Sequence, residues 1–156
     1  MFREMLRIKQ KLTDGECREI LINEPRGVLS VIGDEDYPYA MPMNFFYDEK
    51  KDRIYFHCGR KGHRLDAIAR HDKVCFCVYD KGFRKDGYWA LNIKSVIIFG
   101  RLHVMEDWPL ELMWDMSGKY TDDDEYIGNE IEKFAKATTV LELEIEHMSG
   151  KLVNES

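Results

Sequence analysis

The chain has 156 residues, 44% of them hydrophobic and 33% charged, with a formal net charge of −6. That length suits a single domain with a substantial core, spanning 1–156 with residues 1–10 as an N-terminal arm. The acidic balance argues against general nucleic-acid binding. No apolar run approaches the length of a membrane span, and the stretch Met1 to Lys9 is too charged for a signal peptide. A cytoplasmic protein with no membrane partner is expected.

After the arm, Thr13-Asp14-Gly15-Glu16 spells a capping box, with Thr13 as N-cap and Glu16 three residues on. A short helix follows, with Cys17, Ile20 and Leu21 on one face, ended by Pro25. Gly27 to Ile32 is a predicted strand, and Gly33-Asp34-Glu35-Asp36 a turn by composition. Tyr37 to Tyr47 returns as one strand, in which Pro38 and Pro42 each lack a ladder donor and so mark an edge or a bulge. Arg53 to His57 is the third strand. A helix from His63 to Arg70 turns Leu65, Ile68 and Ala69 inward, and Lys73 to Tyr79 is the fourth strand.

Asp80 to Gly87 is a polar loop. Tyr88 to Met105 is long for one strand and is expected to bend near Asn92 or Gly100. Trp108-Pro109 opens a helix with Leu110, Met113, Trp114 and Ser117 at helical spacing. Asp122-Asp123-Asp124 suits the start of another, whose inward face is Ile127, Ile131 and Phe134. In the last strand Leu141, Leu143 and Ile145 alternate with Glu142, Glu144 and Glu146, one face buried and one wet. Short antiparallel strands with a few helices predict a mainly β, α+β fold: a closed or nearly closed barrel with helical additions.

The segment richest in chemistry is Phe56-His57-Cys58-Gly59-Arg60-Lys61-Gly62-His63-Arg64, a strand, a glycine-flanked basic turn and a helix start. Arg60, Lys61 and Arg64 make an island of positive charge in an acidic chain. Such cations beside a helix N-terminus form an anion site, for phosphate above all; the alternative is a solvated basic turn. Two more segments suit a ligand. A bulge in Tyr39 to Phe45 would free backbone groups around Pro42 for a planar heterocycle. Lys94 and Ser95 interrupt an apolar strand, either as ligand contacts or as edge polarity. A ring between such strands with its phosphate on the basic turn describes a flavin mononucleotide site.

Other chemistry is poorly supported. The serines lack a nucleophile-elbow context. His57 and Cys58 are strand neighbours and face opposite ways, which weakens a Cys–His nucleophile. The four cysteines, Cys17, Cys58, Cys75 and Cys77, show no disulfide or C-x-x-C spacing and are read as buried structural thiols rather than metal ligands. A zinc site from His57, Cys58, Cys75 and Cys77 matches no common spacing, and no metal is expected.

The chain resembles the flavin mononucleotide (FMN)-binding split-barrel family that includes pyridoxamine 5′-phosphate oxidase, and within it the nitroimidazole-resistance (Nim-type) proteins. The landmarks are Tyr39 to Phe45, Ile54 to Arg64, Arg70-His71-Asp72-Lys73-Val74-Cys75-Phe76, and Ser95-Val96-Ile97-Ile98-Phe99-Gly100-Arg101, in this order and spacing. The resemblance implies a six-stranded antiparallel split β-barrel with flanking helices, forming a homodimer with FMN at the subunit interface. It implies that Pro42, Met43 and Asn44 line the ring, and that His57, Cys58 and Gly59 sit beside it. Lys61, His63 and Arg64, with Arg60, would hold the phosphate, and Ser95 and Val96 would reach the cofactor from the long strand, of the same subunit or of the other. His71, Tyr88 and Trp89 are weaker candidates for a pocket that takes a small-molecule substrate. Pyridoxamine 5′-phosphate oxidase itself has an Arg-x-His pair near its C-terminus; here Arg101-Leu102-His103 lies mid-chain, which argues against vitamin B6 oxidation. The implied activity is reduction of a small electron-poor organic molecule. The rival reading is a non-enzymatic module on the same barrel, holding flavin, deazaflavin or haem, with His57, His63, His71 and His103 as possible axial ligands. A third is a thiol–metal protein using Cys75 and Cys77.

Overall fold

A computed structural model describes residues 1–154. Seven strands form one antiparallel sheet: β1 (Arg26–Ile32), β2 (Pro38–Asn44), β3 (Phe46–Asp48), β4 (Arg53–Cys58), β5 (Lys73–Tyr79), β6 (Asn92–Val104) and β7 (Thr139–Asn154), in the order β2-β1-β5-β6-β7-β4-β3. Four α-helices accompany them: α1 (Asp14–Asn23), α2 (His63–Arg70), α3 (Leu110–Gly118) and α4 (Asp124–Phe134). Among the described residues, no helix is long and apolar enough to cross a membrane.

The expected strand from Tyr37 to Tyr47 is two strands, which accounts for seven strands rather than six. It breaks at Phe45: β2 pairs with β1, while β3 pairs with β4 at the other end of the sheet. A single residue advances an extended chain by only about 3.3 Å. The two ends of the sheet must therefore meet at Phe45, and the sheet curls on itself as a split barrel. Pro38 and Pro42 do lie on an end strand, but the β1–β2 register runs unbroken past both. The irregularity is instead in the β6–β7 pairing, where the register shifts between Phe99 and Gly100 and Glu146 of β7 is the extra residue. A side chain at Gly100 would collide with the Glu144 carbonyl, so the bend needs glycine there.

Helix ends follow local sequence. The Thr13 capping box is complete: the Glu16 N–H donates to Thr13 Oγ1 (3.2 Å), and the Thr13 N–H to Glu16 Oε2 (2.9 Å). Glu24, before Pro25, is extended and ends α1. Asp123 caps α4 by accepting from the Tyr126 N–H at 2.9 Å.

The main core fills the barrel. Phe76 is fully buried, with Phe45 and Phe56 edge-on to it at 5.0 Å each. A second, smaller cluster of Tyr55, Leu112, Met113, Met116, Ile127, Ile131 and Val140 seats α3 and α4 on the outside. Three face assignments shift. In α3 the buried residues are Leu112, Met113 and Met116, while Leu110 and Trp114 are exposed. In α2 it is Ala67, not Ala69, that is buried with Ile68. Cys75 and Cys77 alternate with the buried Val74, Phe76 and Val78, so they lie half-buried on the sheet's other face and are not core thiols; Cys17 is buried.

Two segments differ in extent. Residues 88–91 are loop, and β6 starts at Asn92. The last strand runs on to Asn154, paired with β6 from Leu141 onward except at Glu146. The alternation of Glu142, Glu144 and Glu146 holds, and each faces a basic partner: His103 (3.2 Å), Arg53 (3.5 Å) and Arg101 (2.6 Å). The N-terminal arm crosses the sheet's outer face, where Phe2 stacks on His147 with centroids 4.7 Å apart.

Candidate functional site

A cleft of about 860 Å3 opens between the barrel and the α3–α4 excursion. Its barrel wall is the end of β2 through the corner (Pro42, Met43, Asn44, Phe45), the end of β4 (His57, Cys58, Gly59) and Arg64 of α2. Seven of the sequence-predicted residues thus converge, although Pro42–Asn44 and His57–Gly59 lie on strands near opposite ends of the sheet order. Closure at Phe45 brings them together.

Arg64 is the wall's fixed positive charge. Its Nε lies 3.0 Å from Met41 Sδ, a weak acceptor, so the guanidinium is aimed with most of its donors uncommitted. Beside it, α2 starts at Gly62, which has φ 139° and offers no side-chain cap. The free N–H groups of the first turn and the dipole's positive end add to the positive potential. Only glycine holds that φ without strain. A Cβ at Gly59 would meet nothing within 4 Å, so the backbone there borders open cleft.

His57 has its ring edge exposed, yet the cleft walls desolvate it and Arg64 repels its charged form; both push its pKa below the ordinary value. Both causes disfavour the imidazolium. Burial pushes the Cys58 thiol up, against an opposing pull from Arg64. A raised thiol pKa is the opposite of what a nucleophile needs. Asn44 Oδ1 accepts from Arg26 Nε at 2.9 Å, which leaves its amide N–H groups as donors.

The opposite wall was not anticipated as a site. Met113, Met116 and Ser117 of α3, Tyr120 and Thr121 of the link, and Tyr126, Glu130, Ile131 and Phe134 of α4 complete the cleft. The sequence did mark Met113, Ser117, Ile131 and Phe134 as one-sided helix positions, but periodicity does not distinguish a core face from a cleft face. Phe134 is 53% exposed. Tyr120 joins the walls: its hydroxyl accepts from the Phe45 N–H (2.8 Å) and donates toward Pro25 O (2.6 Å) or Phe45 O (2.8 Å). Lys119 adds a contact over the Phe45 ring at 3.5 Å.

The remaining candidates lie elsewhere. Arg60 and Lys61 are exposed on the turn, outside the cleft lining. His63 is turned away: its ring stacks on Tyr39 at 4.3 Å, and Nε2 accepts from the Asp34 N–H at 3.1 Å. A nitrogen that accepts carries no proton, so the Asp34 carboxylate 3.7 Å away makes no ion pair with it. Arg70 holds that carboxylate at 2.8 Å. Val96 is fully buried in the core, and Ser95 is half-buried on the sheet's outer face. His71 borders a separate hollow beneath the N-terminal arm. Tyr88 and Trp89 project from the 80–91 loop, 69% and 74% exposed.

Arg101 is held by Asp72 (2.9 Å) and Glu146 (2.6 Å), and His103 by Glu142. Both members of this Arg-x-His pair are thus engaged by carboxylates on the sheet. Among the described residues, no group of three or more His, Cys, Asp or Glu converges as a metal site.

Solved structures share this fold. A candidate 5-nitroimidazole antibiotic resistance protein from Bacteroides thetaiotaomicron superposes with a TM-score of 0.73 at 20% identity, over 92% of this chain and 87% of that one. A conserved hypothetical protein from Mycobacterium tuberculosis gives 0.75 at 18% identity, over 95% and 90%. A FAD and haem binding protein from Mycobacterium smegmatis gives 0.65 at 21% identity, over 95% and 74%. No curated protein matches the chain by sequence. The family model described as pyridoxamine 5′-phosphate oxidase matches residues 13–152, and the chain therefore belongs to that family.

Proposed function

We propose that the cleft binds FMN and that the protein is a flavin-dependent oxidoreductase acting on a small electron-poor organic acceptor. The observation that carries this reading is the convergence of Pro42–Asn44, His57–Gly59 and Arg64 on one cleft. The residues fit the group. The volume lies within the range of cofactor pockets, about 300–1,000 Å3. One end offers a guanidinium and an uncapped helix start for a phosphate; Met113, Met116, Ile131 and the barrel corner offer apolar walls for a ring. The family match and the FAD-binding neighbours from Mesorhizobium loti and Mycobacterium smegmatis support a flavin, and family membership favours the mononucleotide.

On this reading Arg64 and the α2 N-terminus hold the phosphate, with Lys61 and Arg60 strengthening the field from outside. The strand ends would frame the ring, and Asn44 would have its amide donors available to it. The α3–α4 wall would cover one side of the bound group. The charged form of His57 is disfavoured there, so it competes little with Arg64 as a cation. Bound FMN supplies the two-electron redox chemistry between a reduced nicotinamide and the acceptor. For a nitro compound the balance is one hydride from the nicotinamide and one proton from solvent, giving a nitroso product and water.

The same reading includes a homodimer. The outer face of the sheet presents Cys75, Phe99 and His147 in one row and Cys77, Ile97 and Ser149 in the next. Ile97 and Phe99 are 39% and 41% exposed at the sheet's centre, a position that a second copy would cover. Phe99→Glu is expected to give monomers by light scattering. The functional test is turnover of a nitroaromatic with reduced nicotinamide, with and without added FMN. Strictly FMN-dependent turnover is expected; turnover indifferent to FMN, or none with FMN bound, contradicts an oxidoreductase role.

A further inference from the structure

Arg64 is the cleft's fixed cation, and its counterpart is Glu130, the single carboxylate among the described cleft-lining residues. The two lie on opposite walls. Glu130 is half-buried, its side chain makes no hydrogen bond or ion pair with any described residue, and it follows Tyr126 and precedes Phe134 by four positions each. Residues four apart share a helix face. Thus α4 presents an aromatic–carboxylate–aromatic stripe to the cleft, with both rings more than half exposed.

A solvated surface acid gains nothing from such flanks. An organic cation does: the carboxylate attracts its charge, and each ring face offers a cation–π contact. An anionic acceptor is repelled by Glu130, and a neutral one leaves its charge uncompensated.

We propose that Glu130, with Tyr126 and Phe134, sets substrate specificity by binding a protonated amine or cationic ring nitrogen carried by a flat aromatic molecule. That the aromatic part is an electron acceptor rests on the FMN reading; the cation preference rests on α4 alone. The stripe lies across the cleft from Arg64, so the cationic end of the substrate points away from the anionic end of the cofactor.

Calorimetric titration tests this on the purified protein, with 4-nitrobenzylamine as the cation and 4-nitrobenzyl alcohol as its neutral counterpart. Wild type is expected to bind the cation about tenfold more tightly than the alcohol. Glu130→Gln keeps the side chain's size and is expected to abolish that preference while leaving the alcohol's affinity unchanged. Equal affinity for both ligands in wild type, or an unchanged preference in Glu130→Gln, overturns the proposal. Flavin content measured on the same samples reports separately. A wild type that neither carries flavin nor takes up added FMN, yet still prefers the cation, removes the FMN reading and leaves the role of Glu130 standing.

Discussion

The two walls of the cleft are built on different physical terms. The barrel wall is hydrogen-bonded into a sheet and backed by a core in which Phe45, Phe56 and Phe76 pack edge to face. The helical wall rests on a smaller cluster and is joined to the barrel corner by the Tyr120 hydroxyl and Lys119. The difference assigns labour: a rigid wall positions a cofactor, and a wall tethered at few points varies its cleft-facing residues without disturbing the sheet.

The largest expected effect falls on the rigid wall. Phe76→Ala removes the ring beneath both strand ends and should cost about 3–5 kcal/mol in urea unfolding. Ile131→Ala, in the smaller cluster, should cost less; equal losses would mean that the walls share one core. Next comes ligand binding. Arg64→Ala removes a charge-assisted contact of about 1.5–3 kcal/mol and should weaken FMN binding about 10- to 100-fold by fluorescence titration. Lys61→Ala, acting from the exposed turn, should weaken it by less than about threefold. If Lys61→Ala proves the more damaging, the phosphate lies on the turn and not in the cleft.

Tyr120→Phe tests the tether. It strands the Phe45 N–H and should cost about 1–2 kcal/mol of stability. The smallest effect concerns Lys119, whose ammonium burial pushes down from 10.5 to about 8, with Glu24 opposing. Between those values the unfolded chain binds the proton more tightly than the folded one, so this group's contribution to stability rises with pH from about 8. Cys17, raised by burial from 9.0 to about 11, works in the opposite sense from about pH 9 upward. The Lys119 signal is therefore read between pH 8 and 9, as the slope lost in Lys119→Met.

Much of the barrel wall was legible because its signals are local. Alternation marked β7, a capping box marked α1, and glycines with cations marked the β4–α2 turn. The break at Phe45 was not legible: Tyr37 to Tyr47 looks continuous, and what divides it is partner choice by β1 and β4, a long-range matter. His63 looked like a phosphate ligand because it stands among cations, but stacking on Tyr39 and the Asp34 N–H claim it. The helical wall showed its faces and not its purpose. Met113 and Ile131 fit a core pattern and are core, while Phe134, on the same pattern, borders the cleft.

The central claim is that this cleft holds FMN. Its most direct test is the visible absorption spectrum of the purified protein, followed by titration of the flavin-free form with FMN. A flavin band, or tight uptake of FMN stoichiometric with the chain and weakened in Arg64→Ala, is the predicted result. A colourless protein that leaves the fluorescence of added FMN unchanged would contradict it.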